Sequence, residues 1–554
     1  MICPVENKLS GLVQDIIACF QHFATTFSIN NAVLTFLTFR QKSPHGELLA
    51  YYLLIYLSMS SYTFLAYFCR TPYGCVDEMS DPARKPFDAA DRLGIEPVGR
   101  LLLRFSLPAI TGMLVNALYN VVDRIFVGRG VNEAALGGLS LVMPLMTIAM
   151  AFAMLFGIGS ANMISMRLGQ GRREEAENTL NHCIVLLVGM GIVLTAVGLI
   201  FIDEILSVMG AQEGSLSIDY ARRYFRIILY GSVFSLVGFG LSHCTRAQGF
   251  PTITMIAMFL GAGMNTILDP IFIFAFGWGV EGAAWATIIS QLASCVWILS
   301  FNLGKKAVVH LRLPIIKAAI IKPSFRIVRE IMGFGSSQFI MQFIMSGVGI
   351  LYNTSFGWYG ADSLGVSNGG DVALSGMNIV NSIAMLILMP VFGINQGAQP
   401  VLGYNYGAKK FDRVLKAYLR AITAATCVCV AGFIVTQGFP LALIRLFVPE
   451  GSATLLSFGP AAMRIALLML PLNGFQIVSA NMFVVTGRPK IAILLNMLRQ
   501  CIVLIPCIVI FGRFWSLWGI VAAGPVADGF SFFFTGTMIL FELRKLRRQM
   551  KIGE

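Results

Sequence analysis

The sequence predicts an all-α integral membrane protein with twelve transmembrane helices, arranged as two six-helix lobes related by a parallel pseudo-two-fold repeat. Three observations support this prediction: the composition, a series of twelve apolar runs, and an internal alignment of the two halves. Of the 554 residues, 56% are hydrophobic and only 12% are charged, whereas a soluble globular chain carries about 25% charged residues. Lipid must therefore be the solvent for much of the chain.

Long apolar runs alternate with short polar breaks from residue 103 onward. A helix needs about 20 apolar residues to cross the hydrocarbon core of a bilayer. The predicted spans are 103–127, 136–162, 179–202, 223–246, 252–276, 282–302, 331–356, 371–397, 417–438, 458–483, 491–512 and 517–541. The longest polar break, 303–330, carries seven Lys and Arg. It separates an N-lobe, 103–302, from a C-lobe, 331–541.

The Lys and Arg residues predict the orientation of these spans. The breaks after even-numbered spans and the C-terminal tail hold 24 of them, whereas the breaks after odd-numbered spans hold eight. Because basic residues accumulate on the cytoplasmic side of a membrane, we expect the N-terminal tail 79–102, the linker 303–330 and the tail 542–554 to be cytoplasmic. The net charge of +13 is then a topology signal and no indication of nucleic-acid binding.

The two halves of the chain resemble each other. Segment 157–171 aligns without gaps to segment 393–407, at an offset of 236, and further matches follow in the same order at offsets of 238 and 240. The matched pairs include Gly157 with Gly393, Gly171 with Gly407, Gly249 with Gly487, Pro251 with Pro489, and Trp278 with Trp518. Six is an even number of spans, so both halves enter the membrane from the same side. This parallel repeat suits alternating access around a central cavity.

The first 78 residues do not belong to the repeat. They contain one apolar run, 47–69, which as a span would be a thirteenth, and which lies too far from the start to be a signal peptide. From Met79 the chain has the pattern of an ordinary start, a short polar tail followed by the first span. We expect residues 1–78 to be a dispensable extension, produced by a start codon assigned too far upstream.

Polar residues inside the apolar runs are candidates for an ion or substrate site. An Asp at a helix centre costs about 2.5–3.5 kcal/mol on insertion, so it marks function more often than structure. Asp123 lies in run one and Asp269 in run five; Asn265 is four residues before Asp269, on the same helix face, and Thr287 lies in run six. Such oxygens can bind Na⁺, or a carboxylate can exchange a proton. Alternatively, Asp123 pairs with Arg124, and Asp269 is solvated near the outer surface.

Other polar residues in the runs have simpler interpretations. Pro108 is a kink that lets run one bend. Asp528, in run twelve, has no evident partner and is interpreted as structural. His243, in run four, could relay protons but is better interpreted as a packing histidine. The 11 Cys form no CxxC pair, and no cluster of His with Asp predicts a catalytic centre, so we expect no enzymatic activity.

Five segments carry a resemblance to a known family. They are YNVVDRIFVG (119–128), RLGQGRREEA (167–176), RAQGFP (246–251), NTILDPIFIF (265–274) and YNYGAKKFDRV (404–414). With the stretch from residue 93 to 541, they resemble the MATE family, the multidrug and toxic compound extrusion transporters, in its bacterial branch typified by MepA and DinF. The resemblance implies export of cationic and amphipathic organic compounds in exchange for Na⁺ or H⁺.

The resemblance also assigns roles to individual residues. It implies a cation site in the N-lobe, and it implies supporting or gating roles for three further side chains. The cation-binding residues are Asp123, Asn265, Asp269 and Thr287, and the supporting residues are Pro108, Tyr119 and Tyr224. Another branch of the family places carboxylates in spans seven and ten, where this chain has only Gln338, Gln342, Asn473, Gln476 and Asn481. We therefore expect no carboxylate cation site in the C-lobe.

The sequence thus predicts a multidrug efflux antiporter of the cell membrane, of the kind that confers antibiotic resistance. We expect a monomer, surrounded by lipid, that needs no cofactor beyond its coupling ion and binds no nucleic acid. One alternative is a lipid-linked saccharide flippase, which should place several Lys or Arg at mid-span positions to hold a pyrophosphate. A polytopic membrane enzyme is the alternative from another class, and it lacks a reactive cluster.

Overall fold

Helices make up almost all of the described structure. The computed structural model describes residues 87–131, 133–208, 216–366, 369–448 and 453–553, and in these ranges it contains helices joined by short connections, with no strand. The apolar run 47–69 and the proposed extension 1–78 lie outside the described residues, so their interpretation stays a prediction.

Eight helices belong to the N-terminal half, and several begin or end where the sequence places a turn residue. Pro251 occupies the first turn of its helix, a position where the missing N–H costs nothing. The helices are α1 (Phe87–Ile95), α2 (Val98–Gly130), α3 (Glu133–Gly169), α4 (Arg173–Ile200), α5 (Ile202–Val208), α6 (Leu216–Ala247), α7 (Pro251–Pro270) and α8 (Gly279–Leu303). A π-helical turn, Ile271–Ala275, extends α7.

Nine helices follow in the linker and the C-terminal half. They are α9 (Leu313–Ile321), α10 (Phe325–Ser363), α11 (Gly369–Gly407), α12 (Phe411–Gly438), α13 (Pro440–Phe447), α14 (Ala453–Ala466), α15 (Leu470–Val485), α16 (Pro489–Met497) and α17 (Ile505–Gly553). A π-helical segment, Leu498–Leu504, joins α16 to α17. Both π segments fall in the fifth span of their half.

The number of spans agrees with the sequence prediction. Among the described residues, ten helical stretches are long and apolar enough to cross a membrane, and the pair α14 and α15, bent by 45°, adds an eleventh. One of the ten, Pro489–Met550, has 62 residues. At 1.5 Å per residue it would be about 90 Å long, about three times the hydrocarbon thickness. Ser516, with φ 48° and ψ −134°, breaks it, so it supplies two spans and completes twelve.

The packing of the helices follows the repeat. Within the N-lobe, α3 packs on α6, α6 on α8 and α2 on α7. Between the lobes, α2 packs against α11 and α3 packs against α10. The repeat relates α2 to α10 and α3 to α11, so it relates the α2–α11 interface to the α3–α10 interface. This exchange is what a two-fold axis between the lobes produces.

Backbone conformation repeats at aligned positions as well. Gly249 and Gly487 both have positive φ, 104° and 79°, in the turns that precede Pro251 and Pro489. An L side chain rarely adopts this conformation, so both halves need glycine there. The last span of each half also follows a positive-φ residue, Gly277 or Ser516.

The two lobes meet backbone to backbone where α3 and α11 end. A Cβ atom placed on Gly169 would lie 2.0 Å from the carbonyl oxygen of Tyr404, and one on Gly407 would lie 2.1 Å from that of Met166. Real Cβ atoms do not approach so closely, so only glycine allows this contact. We name this crossing of α3 and α11, at Gly169 and Gly407, the glycine seal.

Helix α1 adds a contact between the lobes at the same end of the bundle. It precedes the first span, α2, yet side chains of the C-lobe bind its last carbonyl oxygens. Arg413 Nη2 donates to the carbonyls of Leu93 at 3.2 Å and Glu96 at 2.5 Å, and Lys410 Nζ donates to that of Gly94 at 2.9 Å. The final carbonyls of a helix have no partner within it, so these side chains cap α1.

Helices extend into three of the predicted polar regions. The tail assigned to 79–102 contains α1 and the start of α2, the linker 303–330 contains α9 and the start of α10, and the tail 542–554 continues α17 to Gly553. Hydropathy detects only the apolar part of a helix, and good helix formers carry the backbone beyond it. The tenth run is also not one helix, because residues 467–469 divide it into α14 and α15.

Candidate functional site

Three predicted residues form a buried polar cluster between α7 and α8. Asp269 is fully buried, at 0% exposure, and Asn265 lies one turn before it on α7. The Asn265 Nδ2 donates to Asp269 Oδ1 at 3.2 Å and to Thr287 Oγ1 at 3.4 Å. Thr287 in turn donates to the carbonyl of Ala283 at 3.0 Å. One amide group thus joins the carboxylate of α7 to the hydroxyl of α8.

Helices α2 and α6 bring the remaining polar groups to this cluster. The side chain of Asp123, on α2, lies within hydrogen-bonding distance of Asp269. Tyr224, on α6, is buried and lies close to Thr287, to both carboxylates and to Tyr119. Four helices therefore bring these side chains together, and their role in binding a cation stays a prediction.

The cluster contains more oxygen lone pairs than donors. Asp269 Oδ2 and Asn265 Oδ1 are buried and have no hydrogen-bond donor among the residues that the structure describes. Two carboxylates side by side in a medium of low dielectric repel each other unless a proton or a cation lies between them. These residues can therefore hold a small hard cation by oxygen atoms, or one proton shared by the two carboxyl groups.

The structure decides between the alternatives for Asp269 and leaves that for Asp123 open. Asp269 is not a solvated residue at the outer surface, because its exposed fraction is 0%; that interpretation is wrong. The side chain of Arg124 lies outside the described residues, so an ion pair between it and Asp123 is not tested.

Pro108 lies away from the cluster. It is buried within α2, 15 residues before Asp123, which corresponds to about 22 Å along a helix. Its neighbours on α2 contact the other lobe: Ile110 packs against Gly393 of α11, and Ser106 packs against Gly397. The predicted bend is therefore at the lobe interface, where a change in α2 can alter both the interface and the position of Asp123.

The sequence analysis missed an ion pair in the C-lobe. Asp528 has a partner after all, because Arg499 Nε lies 2.6 Å from its Oδ1, and Gln476 Nε2 donates to its backbone carbonyl at 2.6 Å. The interpretation of Asp528 as having no evident partner was wrong, since Arg499 was counted as a residue of a polar break. Its position eight residues inside run 491–512 was the signal that could have identified it.

Comparison with known proteins places the chain in a family. The sequence model of the MatE family matches residues 108–271 and again residues 338–510, one match in each half. The chain is 27% identical over 434 residues to the multidrug export protein MepA of Staphylococcus aureus strain MRSA252, and the alignment covers 78% of this chain and 91% of that protein.

Solved structures share the fold over more than four fifths of this chain. The crystal structure of MATE in complex with MaD3S superimposes with a TM-score of 0.75 at 25% identity, covering 82% of this chain and 98% of the other. The outward-facing conformation of a multidrug resistance MATE family transporter of the MOP superfamily gives 0.73 at 26% identity, covering 84% and 100%. The chain therefore belongs to the MatE family of multidrug and toxic compound extrusion transporters.

Proposed function

We propose that this protein exports cationic or amphipathic organic compounds from the cell by antiport with Na⁺ or H⁺. The pair formed by half-buried Asp123 and buried Asp269 carries this proposal, because two adjacent carboxylates need a cation or a proton to balance their charge. The relative named as a multidrug export protein and the structure of MATE with a bound compound support a small organic substrate.

The coupling ion acts by changing the charge of this site. Without an ion, the two carboxylates repel each other and favour a structure in which α2 and α7 separate. When Na⁺ or a proton binds, the repulsion ends and the helices close around it. Because Asp123 belongs to α2 and α2 packs against α11 of the C-lobe, this local change is transmitted to the lobe interface.

The set of oxygen ligands favours Na⁺ over a proton. Hard cations bind several oxygen ligands, and the site offers two carboxylates together with the Asn265 amide oxygen and the Thr287 hydroxyl. A proton needs only the carboxylates. The Asn265 Oδ1, buried without a donor among the described residues, is explained by a metal cation and is not explained by a shared proton.

The glycine seal and the α1 contacts define the state of the transporter. Both lie at the end of the bundle that the Lys and Arg distribution assigns to the cytoplasm. With this end closed, the substrate cavity opens to the outside of the cell. In the inward-open state, the two lobes must separate at the glycine seal. The segments 79–102 and 542–554, on either side of the twelve spans, are cytoplasmic in this proposal, and the protein acts as a monomer in the cell membrane.

A transport assay with the purified protein in vesicles tests the proposal. A fluorescent cationic dye is supplied on one side, and Na⁺ and pH gradients are imposed separately. We expect dye movement against its gradient when Na⁺ is driven in the opposite direction, with a smaller response to pH. Failure of both gradients to drive the dye would refute antiport.

A lipid-linked saccharide flippase is not favoured by these comparisons, which point to multidrug transporters. Such a flippase would also need several cationic side chains in the cavity to hold a pyrophosphate. Within the described residues, the N-lobe site contains carboxyl, amide and hydroxyl groups, which suit a cation instead.

A further inference from the structure

Arg246 is a buried cation at the lobe interface. Neither the packing of the helices nor the proposed ion coupling requires its charge. It lies in the last turn of α6, and only 3% of its surface is exposed. Its Nη1 donates to Oε1 of Gln396, on α11 of the other lobe. Gln396 is half-buried, and its Nε2 lies 3.8 Å from the sulfur of Met113 on α2. The guanidinium thus lies where three helices of two lobes meet.

The charge of Arg246 has no balancing carboxylate. Its Nε and Nη2 are buried without a hydrogen-bond partner, and no acidic side chain pairs with it in the ranges that the structure describes. Burying a charge without a partner is strongly unfavourable, whereas buried ions in native proteins are paired or bind a ligand of opposite charge. By contrast, Arg167, which is buried near the end of α3, has the carboxylate of Glu330 2.8 Å from its Nη2.

Further donors surround the same position. His243 lies one turn before Arg246 on α6, is 4% exposed, and has an Nε2 without a partner among the described residues. Helices α3 and α6 touch at Gly157 and Gly240, so Ser160, three residues after Gly157, lies level with His243. The Ser160 hydroxyl oxygen is also buried without a partner. A hydroxyl, an imidazole and a guanidinium can all donate to one acceptor.

We propose that Arg246, with His243 and Ser160, forms an anion-binding site at the interface of the two lobes, which accepts one carboxylate or halide. The site is separate from the cation site, because Met113, which contacts Gln396, lies ten residues before Asp123 on α2, about 15 Å along the helix. Half-buried Gln396 borders it, so an anion can enter from the space between the lobes. Since Gln396 belongs to α11, the site is complete only while the lobes are closed.

Two sources can supply this negative group. One is a carboxylate carried by a transported zwitterion, whose cationic part is then free to interact elsewhere in the cavity. The other is a free inorganic anion such as chloride, which would stabilise the closed interface whichever compound is exported. The inference goes beyond cation export, because an exporter of purely cationic compounds has no need of a buried guanidinium.

A binding experiment on the purified full-length protein tests the site without requiring transport. Thermal unfolding is followed at constant Na⁺ while bulky gluconate is replaced by chloride or by formate, a minimal carboxylate. We expect both small anions to raise the unfolding temperature of the unmodified protein. Arg246→Gln, which keeps hydrogen-bonding capacity and removes the charge, should abolish this response, and Arg246→Lys should retain part of it. An equal response in all three proteins would overturn the proposal.

A transport experiment then separates the two sources. A rhodamine with a free carboxylate and its methyl ester are compared in vesicles, and the ratio of the two rates cancels any general loss of activity. If a substrate carboxylate occupies the site, Arg246→Gln should lower the ratio of acid to ester about tenfold or more. An unchanged ratio combined with a lost chloride response identifies a free anion. An unchanged ratio and an unchanged anion response together would refute the site, and a failure of dye transport alone would refute only the proposed export.

Discussion

Arg499 and Asp528 form an ion pair inside the C-lobe, with the Nε of the arginine 2.6 Å from Oδ1 of the aspartate. The two residues come from the π-helical segment of the fifth span and from the sixth span of that lobe. In the N-lobe, the corresponding fifth and sixth spans are the helices that carry Asp269 and Thr287. The C-lobe therefore balances a buried carboxylate with its own guanidinium, whereas no basic side chain pairs with Asp269 among the described residues, and in the proposed function a mobile cation balances it.

The first prediction concerns this pair. Removing one partner of a buried pair leaves the other charge unbalanced, and we expect Arg499→Ala to destabilise the protein by about 3 kcal/mol. The double change Arg499→Ala with Asp528→Asn should be less destabilising than Arg499→Ala alone. Thermal unfolding in detergent ranks the variants. If the double variant is the less stable, the two residues do not stabilise each other as an ion pair.

The second prediction concerns ion coupling. Asp123→Asn and Asp269→Asn keep the shape of each side chain and remove its charge, so each should abolish ion-driven dye efflux while leaving the protein folded. Because both act on one ion, the double variant should lose little more than either single variant. Asp412→Asn, at an exposed position on α12 where Asp412 pairs with Lys416, is the matched control and should export normally.

The outcomes distinguish one site from two. Wild-type export by both single variants would mean that the cation site is assigned to the wrong residues. Simple addition of the two effects would mean that the carboxylates act separately, and would favour an ion pair between Asp123 and Arg124.

A third prediction tests the orientation. Lys305, in the linker, and Glu204, on α5, are both exposed and lie in breaks assigned to opposite sides of the membrane. With cysteine at one position in a background without other reactive cysteines, an impermeant thiol reagent should label residue 204 in intact cells and label residue 305 only after permeabilisation. Rapid labelling of residue 305 from outside would show that the orientation is the reverse of the predicted one.

The glycine seal gives a fourth prediction. A methyl group on Gly407 cannot fit 2.1 Å from the Met166 carbonyl, so Gly407→Ala should shift the population toward lobes separated at that end. Spin labels at Lys305, just after the last span of the N-lobe, and at Lys416, in the C-lobe, should report longer distances. Gly189→Ala is the control, because a Cβ there meets no atom within 4 Å. Identical distance distributions in all three proteins would show that the contact does not limit closure.

The fifth prediction concerns the cap of α1. Arg413→Ala removes the charged donor to the Leu93 and Glu96 carbonyls and leaves Asn405 Nδ2 on the Leu93 carbonyl, and hydrogen bonds to charged groups contribute about 1.5–3 kcal/mol each. Amide hydrogens of residues 87–96 should then exchange faster with solvent, by tenfold or more on the same basis. Lys416→Ala, which removes an exposed ion pair, should leave their exchange unchanged. Equal exchange in both variants would contradict a capping role.

The sequence predicted the spans well, because apolar length is a property of contiguous residues. It also placed Asn265 and Asp269 on one face, since a spacing of four is local to a helix. The meeting of Asp123 with Asp269 came from a family resemblance, because 146 residues separate them. Arg499 and Arg246 were counted as charges of polar breaks, and only the packing of helices reveals that one has a buried partner and the other has none.

The glycine seal has a consequence for selectivity. Its contacts are between main-chain atoms, which every polypeptide shares, so this barrier cannot recognise the compound being carried. Side chains on the outer side of the seal must therefore discriminate among compounds. The seal itself is only closed or open. Substitutions among the side chains that line the cavity can therefore change which compounds are exported without any change in the glycine seal.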